Sequence, residues 1–319
     1  MSATGVIESA GGRVAAGSFA AQSRARRANG WGYLRALAAD KVVLAAASFL
    51  VVVVLAALFA NVVAPHDPEQ GGLALRNKPP LTAAKDGGFP YLLGTDALGR
   101  DQLSRLIYGA RVSLAVGLLS VVLSGAIGVT LGLIAGYYRG LLDDLIMRCV
   151  DLQMALPSLL LALLVLYLLG ASIANVILVL AITRWMVYAR VTRSLVLTYR
   201  ENVFIEAARA TGCSDRRIIL LHLLPNLLSP ILVLATLEVA TMILTEASLS
   251  FLGLGIQPPD SSWGLMLGQG RSYMTSAWWL VTFPGLVILL TALSINLFAS
   301  WVRVVTDPVT RWRYFVAES

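Results

Sequence analysis

From residue 42 onward the chain alternates long apolar runs with short charged stretches. The runs lie at 42–63, 112–135, 155–170, 173–188, 227–251 and 278–302. A hydrocarbon core about 30 Å thick is crossed by roughly 20 helical residues at 1.5 Å each, so six transmembrane helices are expected. The third and fourth runs are short, are parted only by Gly170, and are expected to be completed by flanking helical turns. Continuous runs, as opposed to weak alternation, predict helices and not a β-barrel. The fold class expected is therefore an all-α polytopic membrane protein.

Composition agrees with that pattern. Apolar side chains make up 57% of 319 residues and charged ones 13%, and the mean hydropathy is +0.76, values foreign to a soluble domain. The net charge of +7 could suggest nucleic acid. The cations bracket the apolar runs, however, as membrane topology requires, so no nucleic-acid partner is expected. Groups at Arg13 to Lys41, Arg139 and Arg148, Arg190 to Arg217, and Arg303 to Arg313 fall on one side. Arg76, Lys78, Lys85, Arg100, Arg105, Arg111 and Arg271 fall on the other. The bias puts both termini in the cytoplasm. The divisions are then a cytoplasmic tail at 1–40 with the small, polar composition of a disordered segment, a first span at 41–64, an outer loop at 65–111, a core at 112–305 and a second cytoplasmic tail at 306–319. The first span follows a long tail with no small-residue cleavage site after it, and reads as an anchor. Cys149 and Cys213 fall on the inner side, so neither a disulfide nor a metal cluster is expected.

Several chemistries lack their residues. No GxxxxGK[ST] loop is present, and Lys41, Lys78 and Lys85 sit in no phosphate-cradling glycine turn. His66 and His222 are far apart, which disfavours a histidine metal site or catalytic dyad. No catalytic residue is assigned.

Charge within a span is costly and often marks a pathway. Glu238 and Glu246 share roughly one face of the fifth span, and Arg184 lies in the fourth. They read as a translocation path or a proton relay, or else as structural groups, Glu238 hydrogen-bonding a neighbouring helix and Glu246 lying near the outer interface. In the second span Ser120, Ser124, Gly128, Gly132 and Gly136 recur at every fourth residue, a stripe that admits a close helix, from this chain or from another subunit. Pro157 and Pro284 fit helix starts or kinks.

One charged stretch interrupts the apolar pattern for longer: EAARATGCSDRRIILLHLLPN, 206–226. Ala207, Ala208 and Ala210 favour a short helix from Phe204 to Thr211. Gly212 can take the left-handed conformation that ends it, Ser214 or Asp215 can cap a second short helix, and Pro225 suits the entry to the fifth span. An ordered pair of helices on the cytoplasmic side is expected, as a partner site or as a segment lying on membrane lipid.

Glu206, Ala207, Ala208, Gly212, Leu224 and Pro225 resemble the EAA loop of permease subunits in bacterial ABC importers, within a region of about 201–226. His222, where that loop commonly has isoleucine, matches the HxLPN form of the peptide-importer branch. LGTDALGRDQLSRLIYGARVSLAVG at 93–117, VYARVTRSLVLTYRENVFIEAARATG before the loop and EASLSFLGLGIQPPDSSWGLML at 246–267 resemble the C-type permeases of the dipeptide, oligopeptide and nickel branch, in the family's order. The resemblance implies a type I importer permease fold in the bacterial inner membrane, with a cytoplasmic coupling-helix loop docking on a separate ATPase subunit that carries ATP and Mg2+. It implies a second homologous permease, two ATP-binding subunits, a periplasmic or lipid-anchored solute-binding protein and a peptide-like solute. Nickel chelates, glutathione or opines are alternatives, and an ion-coupled secondary transporter using Glu238 and Glu246 is the more distant one. The coupling contact would comprise Glu206, Ala207, Ala208, Arg209, Gly212, Asp215, Arg216, Leu224 and Pro225, with Arg217 beside them. In the outer loop, Asp96, Arg100 and Asp101 are candidates for a gate or a binding-protein contact, or for a packed scaffold in which both carboxylates pair with Arg100 and Arg105.

Overall fold

The computed structural model describes residues 35, 37–84 and 88–306 of the chain. The two expected tails lie outside the described residues except where they adjoin the bundle, and Lys85 lies outside them as well. Helices α1 (Lys41–Leu58) and α2 (Ala60–Val63) lead into an outer cap, followed by α3 (Gln102–Tyr138), α4 (Gly140–Met154), α5 (Ser158–Leu169) and α6 (Ile173–Tyr199). Then come α7 (Val203–Ala210), α8 (Asp215–Arg217), a π-helical segment (Ile218–Leu223), α9 (Leu224–Phe251), α10 (Trp263–Gly270) and α11 (Trp279–Thr306). Among the described residues the β pairing is confined to two isolated antiparallel bridges, Thr82 with Tyr91 and Thr95 with Asp101.

Five of these helices are long and apolar enough to cross a membrane, and there are six spans if α4 and α5 count as one. That pair differs from the expected third span, a short run completed by flanking helical turns. Its two helices meet at a bend of 89°. Pro157 precedes α5 and has no N–H to continue the ladder of α4, while its ring disfavours helical backbone at Leu156. The apolar α5 therefore stands alone at 12 residues and ends at Gly170 with φ +82°. The amphipathic α4, carrying Asp143, Asp144, Arg148 and Asp151, is not continuous with it.

The second span begins well before the apolar run. Asp101 caps α3 by accepting from the Ser104 N–H at 2.8 Å, so the end of the expected outer loop is the first turns of this helix. Helix α3 is the spine of the molecule and packs along α6, α9 and α1. The small-residue stripe explains how closely it does so. Ser120, Ser124, Gly128, Gly132 and Gly136 are all buried, and the three glycines lie against Trp185, Tyr188, Ala189, Thr192 and Val196 of α6. The stripe is thus internal packing and not a contact with another subunit. Asp143 of α4 takes a forked guanidinium from Arg193 of α6, with one N–O distance of 2.6 Å, tying the bent element to α6.

The cap closes one end of the bundle. Asp96 is its hub: its Oδ1 accepts from the backbone N–H groups of Leu98 and Arg100, and its Oδ2 from Arg100 Nε at 2.8 Å and Arg105 Nη1 at 2.6 Å. Arg111 donates to the carbonyls of Ala57 and Leu58, the last orphan acceptors of α1. Trp263 and Trp279, both buried, donate to Leu106 O and Thr95 O, which pins α10 to the first turns of α3 and α11 to the cap.

Candidate coupling site

The charged loop emerges at the opposite end of the long helices, against the C-terminus of α3. Its first helix, α7, is amphipathic over two turns. Ile205 and Ala208 are buried, and Glu206, Ala207, Arg209 and Ala210 are exposed. Ile205 packs with Leu133 and Tyr137 of α3, Val196 of α6, and Ile218, Ile219, Leu223 and Leu227. The two alanines of the EAA triplet therefore divide their work, one seating the knob on the bundle and one lying on its surface. Helix α7 ends as the glycine suggested: Gly212 has φ +78°, its N–H donates to Arg209 O, and the Cys213 N–H donates to Ala208 O.

The second half of the loop differs from the expected short, separate helix. Asp215 to Phe251 form one continuous helical rod, with six residues of π-helix just before the proline. The reason lies at Pro225. A proline inside an α-helix removes one hydrogen bond and presses its ring on the carbonyl four residues back, and the wider π turn relieves both. Pro225 thus stands in the first turn of α9, as its fit to the entry of the fifth span suggested, and α9 runs on without a break from the π segment before it. Leu224 is half-buried in the same apolar cluster, Pro225 is exposed, and the Asn226 side chain donates to His222 O at 2.6 Å.

Tyr137 was not singled out by the sequence, yet it organises the loop. Its hydroxyl donates to Asp215 Oδ1 at 2.6 Å, and the Arg209 guanidinium lies 5.3 Å from its ring centroid. Asp215 thus anchors the loop to α3, while Arg216 and Arg217 are left exposed. Arg200 donates to Tyr137 O at 2.9 Å and closes the C-terminus of α3. Partial burial, with Arg139 and Arg209 nearby, holds the pKa of its guanidinium below the ordinary value. Arg139 and Glu201 form an exposed pair at 2.9 Å. Replacing Tyr137 by phenylalanine keeps the buried ring and removes one hydrogen bond to the exposed Asp215 carboxylate, worth about 1 kcal/mol. Amide exchange in 215–223 is expected to quicken severalfold, with thermal stability nearly unchanged.

The other sequence candidates fall elsewhere. Asp96 and Asp101 are inside the cap, so neither carboxylate is presented to a docking partner. Among the described residues Asp101 pairs with no arginine; it caps α3 and approaches His66 Nδ1 at 3.6 Å. Glu246 is fully buried, its Oε1 accepting from Ser250 at 2.7 Å and its Oε2 from Ser113 at 3.3 Å. Glu238 takes both its bonds from Arg184 across α6 and α9.

Comparison with known proteins bears on this arrangement. A model described as "Binding-protein-dependent transport system inner membrane component" matches residues 128–312, more than half of the chain. The chain belongs to this family of transport permeases. A second model, the N-terminal TM domain of oligopeptide transport permease C, matches residues 31–80 of the permease. The permease is 43% identical over 276 residues to the di/tripeptide transport system permease protein DppC of Pseudomonas aeruginosa, covering 86% of this chain and 91% of that one. It is 42% identical to the dipeptide permease DppC of Haemophilus influenzae, with 82% and 88% covered. Identity to the glutathione transport system permease protein GsiD of Escherichia coli is also 42%, with 82% and 85% covered. Among solved structures, an inward-facing MetNI methionine ABC transporter matches with a TM-score of 0.51 at 19% identity, over 64% of this chain and 97% of that one. At that identity the match speaks for the fold alone, which is that of an ABC transporter permease.

Proposed function

We propose that the permease forms half of the translocation path for di- or oligopeptides in an ATP-driven importer. It is the chain through which ATP hydrolysis on a separate subunit is transmitted to the membrane. The observation that carries the coupling reading is the α7 knob, seated by Ile205 and Ala208 and joined by the turn at Gly212 to a rod that runs unbroken from Asp215 through the π segment and α9. Glu206, Ala207, Arg209, Arg216 and Arg217 stand on its exposed surface, where a groove of an ATP-binding subunit would receive them. Exposed ion pairs contribute about 0–1 kcal/mol each, so the shape of the turn matters more than any one charge.

The peptide reading rests on the relatives, whose names give dipeptide, di/tripeptide and glutathione as solutes. A solute-binding protein delivers such solutes in a family described as binding-protein-dependent. A second permease is favoured by α5, whose 12 residues span about 18 Å at 1.5 Å each, well short of a hydrocarbon core. Lipid alone would not seal such an element, and a homologous chain beside it would. Arg139, Arg190, Arg193, Arg200, Arg209, Arg216 and Arg217 crowd the coupling end, which supports a cytoplasmic location for that end and for both termini in a bacterial inner membrane.

The test is purification from native membrane in mild detergent. An ATPase subunit should accompany the permease, and Glu206→Lys together with Gly212→Val should release it. A permease that comes out alone and carries dipeptide down an ion gradient in liposomes would overturn the proposal.

A further inference from the structure

The pair formed by Arg184 of α6 and Glu238 of α9 lies about half-way along both helices, where charge is costly and a side chain reaches water only through the protein. The two residues are not equally enclosed. The Glu238 side chain is 8% exposed and that of Arg184 is 23% exposed. The contact is a fork: Arg184 Nε donates to one carboxylate oxygen and Nη2 to the other, each at 2.9 Å. A guanidinium has a second fork, formed by Nη1 and the other hydrogen of Nη2. Among the described residues no acceptor meets Nη1. Unsatisfied N–H groups do not survive against lipid, so the open edge must face water or an acceptor.

The surrounding face agrees. Thr241 and Thr245 follow Glu238 at one and two helical turns, half-buried, and continue a hydroxyl-bearing stripe along α9. Glu246 offers no such opening, because its oxygens are closed in by serine hydroxyls and the residue is fully buried.

We infer that Arg184 presents its open edge to the translocation path as a receptor for the carboxylate of the solute, with Glu238 as its resident counter-ion. The site displays donors only, and it already shows how a carboxylate fits it, since Glu238 occupies the equivalent fork on the other edge. Glu238 holds the guanidinium in place and lowers its net charge, so a passing carboxylate is attracted without being trapped. The inference rests on the peptide reading above, because a peptide carries a terminal carboxylate past this point.

The experiment uses the complete importer in proteoliposomes, energised with ATP and supplied with dialanine or dialanine amide through one and the same binding protein. Its own preference then cancels between variants. Arg184→Gln is expected to lower the ratio of free acid to amide carried by at least about tenfold relative to the unaltered importer, with ATP hydrolysis stimulated by the loaded binding protein within about twofold. Because Arg184→Gln strands a buried carboxylate, the double variant Arg184→Gln with Glu238→Gln is measured beside it and should show the same shift. If uptake of both forms falls together, or the ratio does not move, the pair is scaffold and the inference is wrong. If the unaltered importer carries neither peptide but does carry another solute, the peptide reading itself has failed, and the carboxylate receptor falls with it.

Discussion

Replacing Gly128 by valine is expected to leave little folded permease in the membrane. A Cβ at this position would lie 2.2 Å from Trp185 O, 2.6 Å from Tyr188 Cβ and 3.0 Å from Ala189 N. Two of those three atoms are backbone of α6, which cannot step aside as the end of a flexible side chain can. Helix α3 would have to lift from α6, and the contacts on either side of Gly128 along the stripe would open with it. Overpacking a core ordinarily costs about 1–3 kcal/mol, and this site belongs at or above the upper end, because the clash is between two main chains. Gly125, one turn earlier on α3, supplies the control. A Cβ there meets only the Tyr188 ring, at 3.6 Å, an ordinary contact. Gly125→Ala should be close to neutral, since alanine in place of a helical glycine gains up to about 1 kcal/mol in propensity. Membrane accumulation and thermal unfolding in detergent would check both variants. Equal behaviour of the two would mean that α3 and α6 are not packed as described.

The same comparison separates what sequence could carry from what it could not. The spacing of Ser120, Ser124, Gly128, Gly132 and Gly136 announced a close helix, since only small side chains at every fourth residue permit one, but it carried no information about which helix. The long spans were legible because hydrocarbon imposes length and apolarity together. The α4–α5 element was not, because Asp143, Asp144, Arg148 and Asp151 remove α4 from any apolar window, and the partners of Asp143 and Asp151, Arg193 and Arg190, lie on α6, beyond α5 in the chain. Arg184 and Glu238 were each noticed, but the pairing spans 54 positions and needs the crossing of α6 with α9. Asp96 and Asp101 likewise looked alike in sequence, and burial gave them different partners. In the coupling loop the short helix and its glycine stop were legible, because positive φ has few residues that can supply it. The π segment was hidden, since Pro225 fits the start of a helix as readily as the interior of one whose turn has widened. Tyr137 carried no local sign of its role, which exists only where the end of α3 meets the loop.

Gly212→Val is expected to abolish most ATP-driven uptake while leaving the bundle folded. Gly212 differs from Gly128 in kind: a Cβ there would meet nothing within 4 Å, so the substitution is sterically free. Its cost is purely conformational. Gly212 has φ +78°, and a β-branched residue in the left-handed region costs on the order of 1–3 kcal/mol. The apolar seat of Ile205 and Ala208 against α3 contributes more than that, so the loop would stay attached and the strain would be relieved by changing the path of the turn. Helix α7 would then tilt relative to the rod beginning at Asp215, and Glu206, Ala207 and Arg209 would leave the arrangement in which one partner surface can meet them all. Thermal stability should fall only slightly, whereas uptake should fall by about tenfold or more, matching 1.4 kcal/mol or more of lost docking. Gly212→Asn distinguishes this account from a general intolerance of side chains, because asparagine enters the left-handed region far more readily. It should recover most of the uptake and of the ATPase subunit retained on purification. If Asn fails as badly as Val, the partner requires empty space at position 212, and the glycine serves close approach of the ATPase subunit as well as the turn.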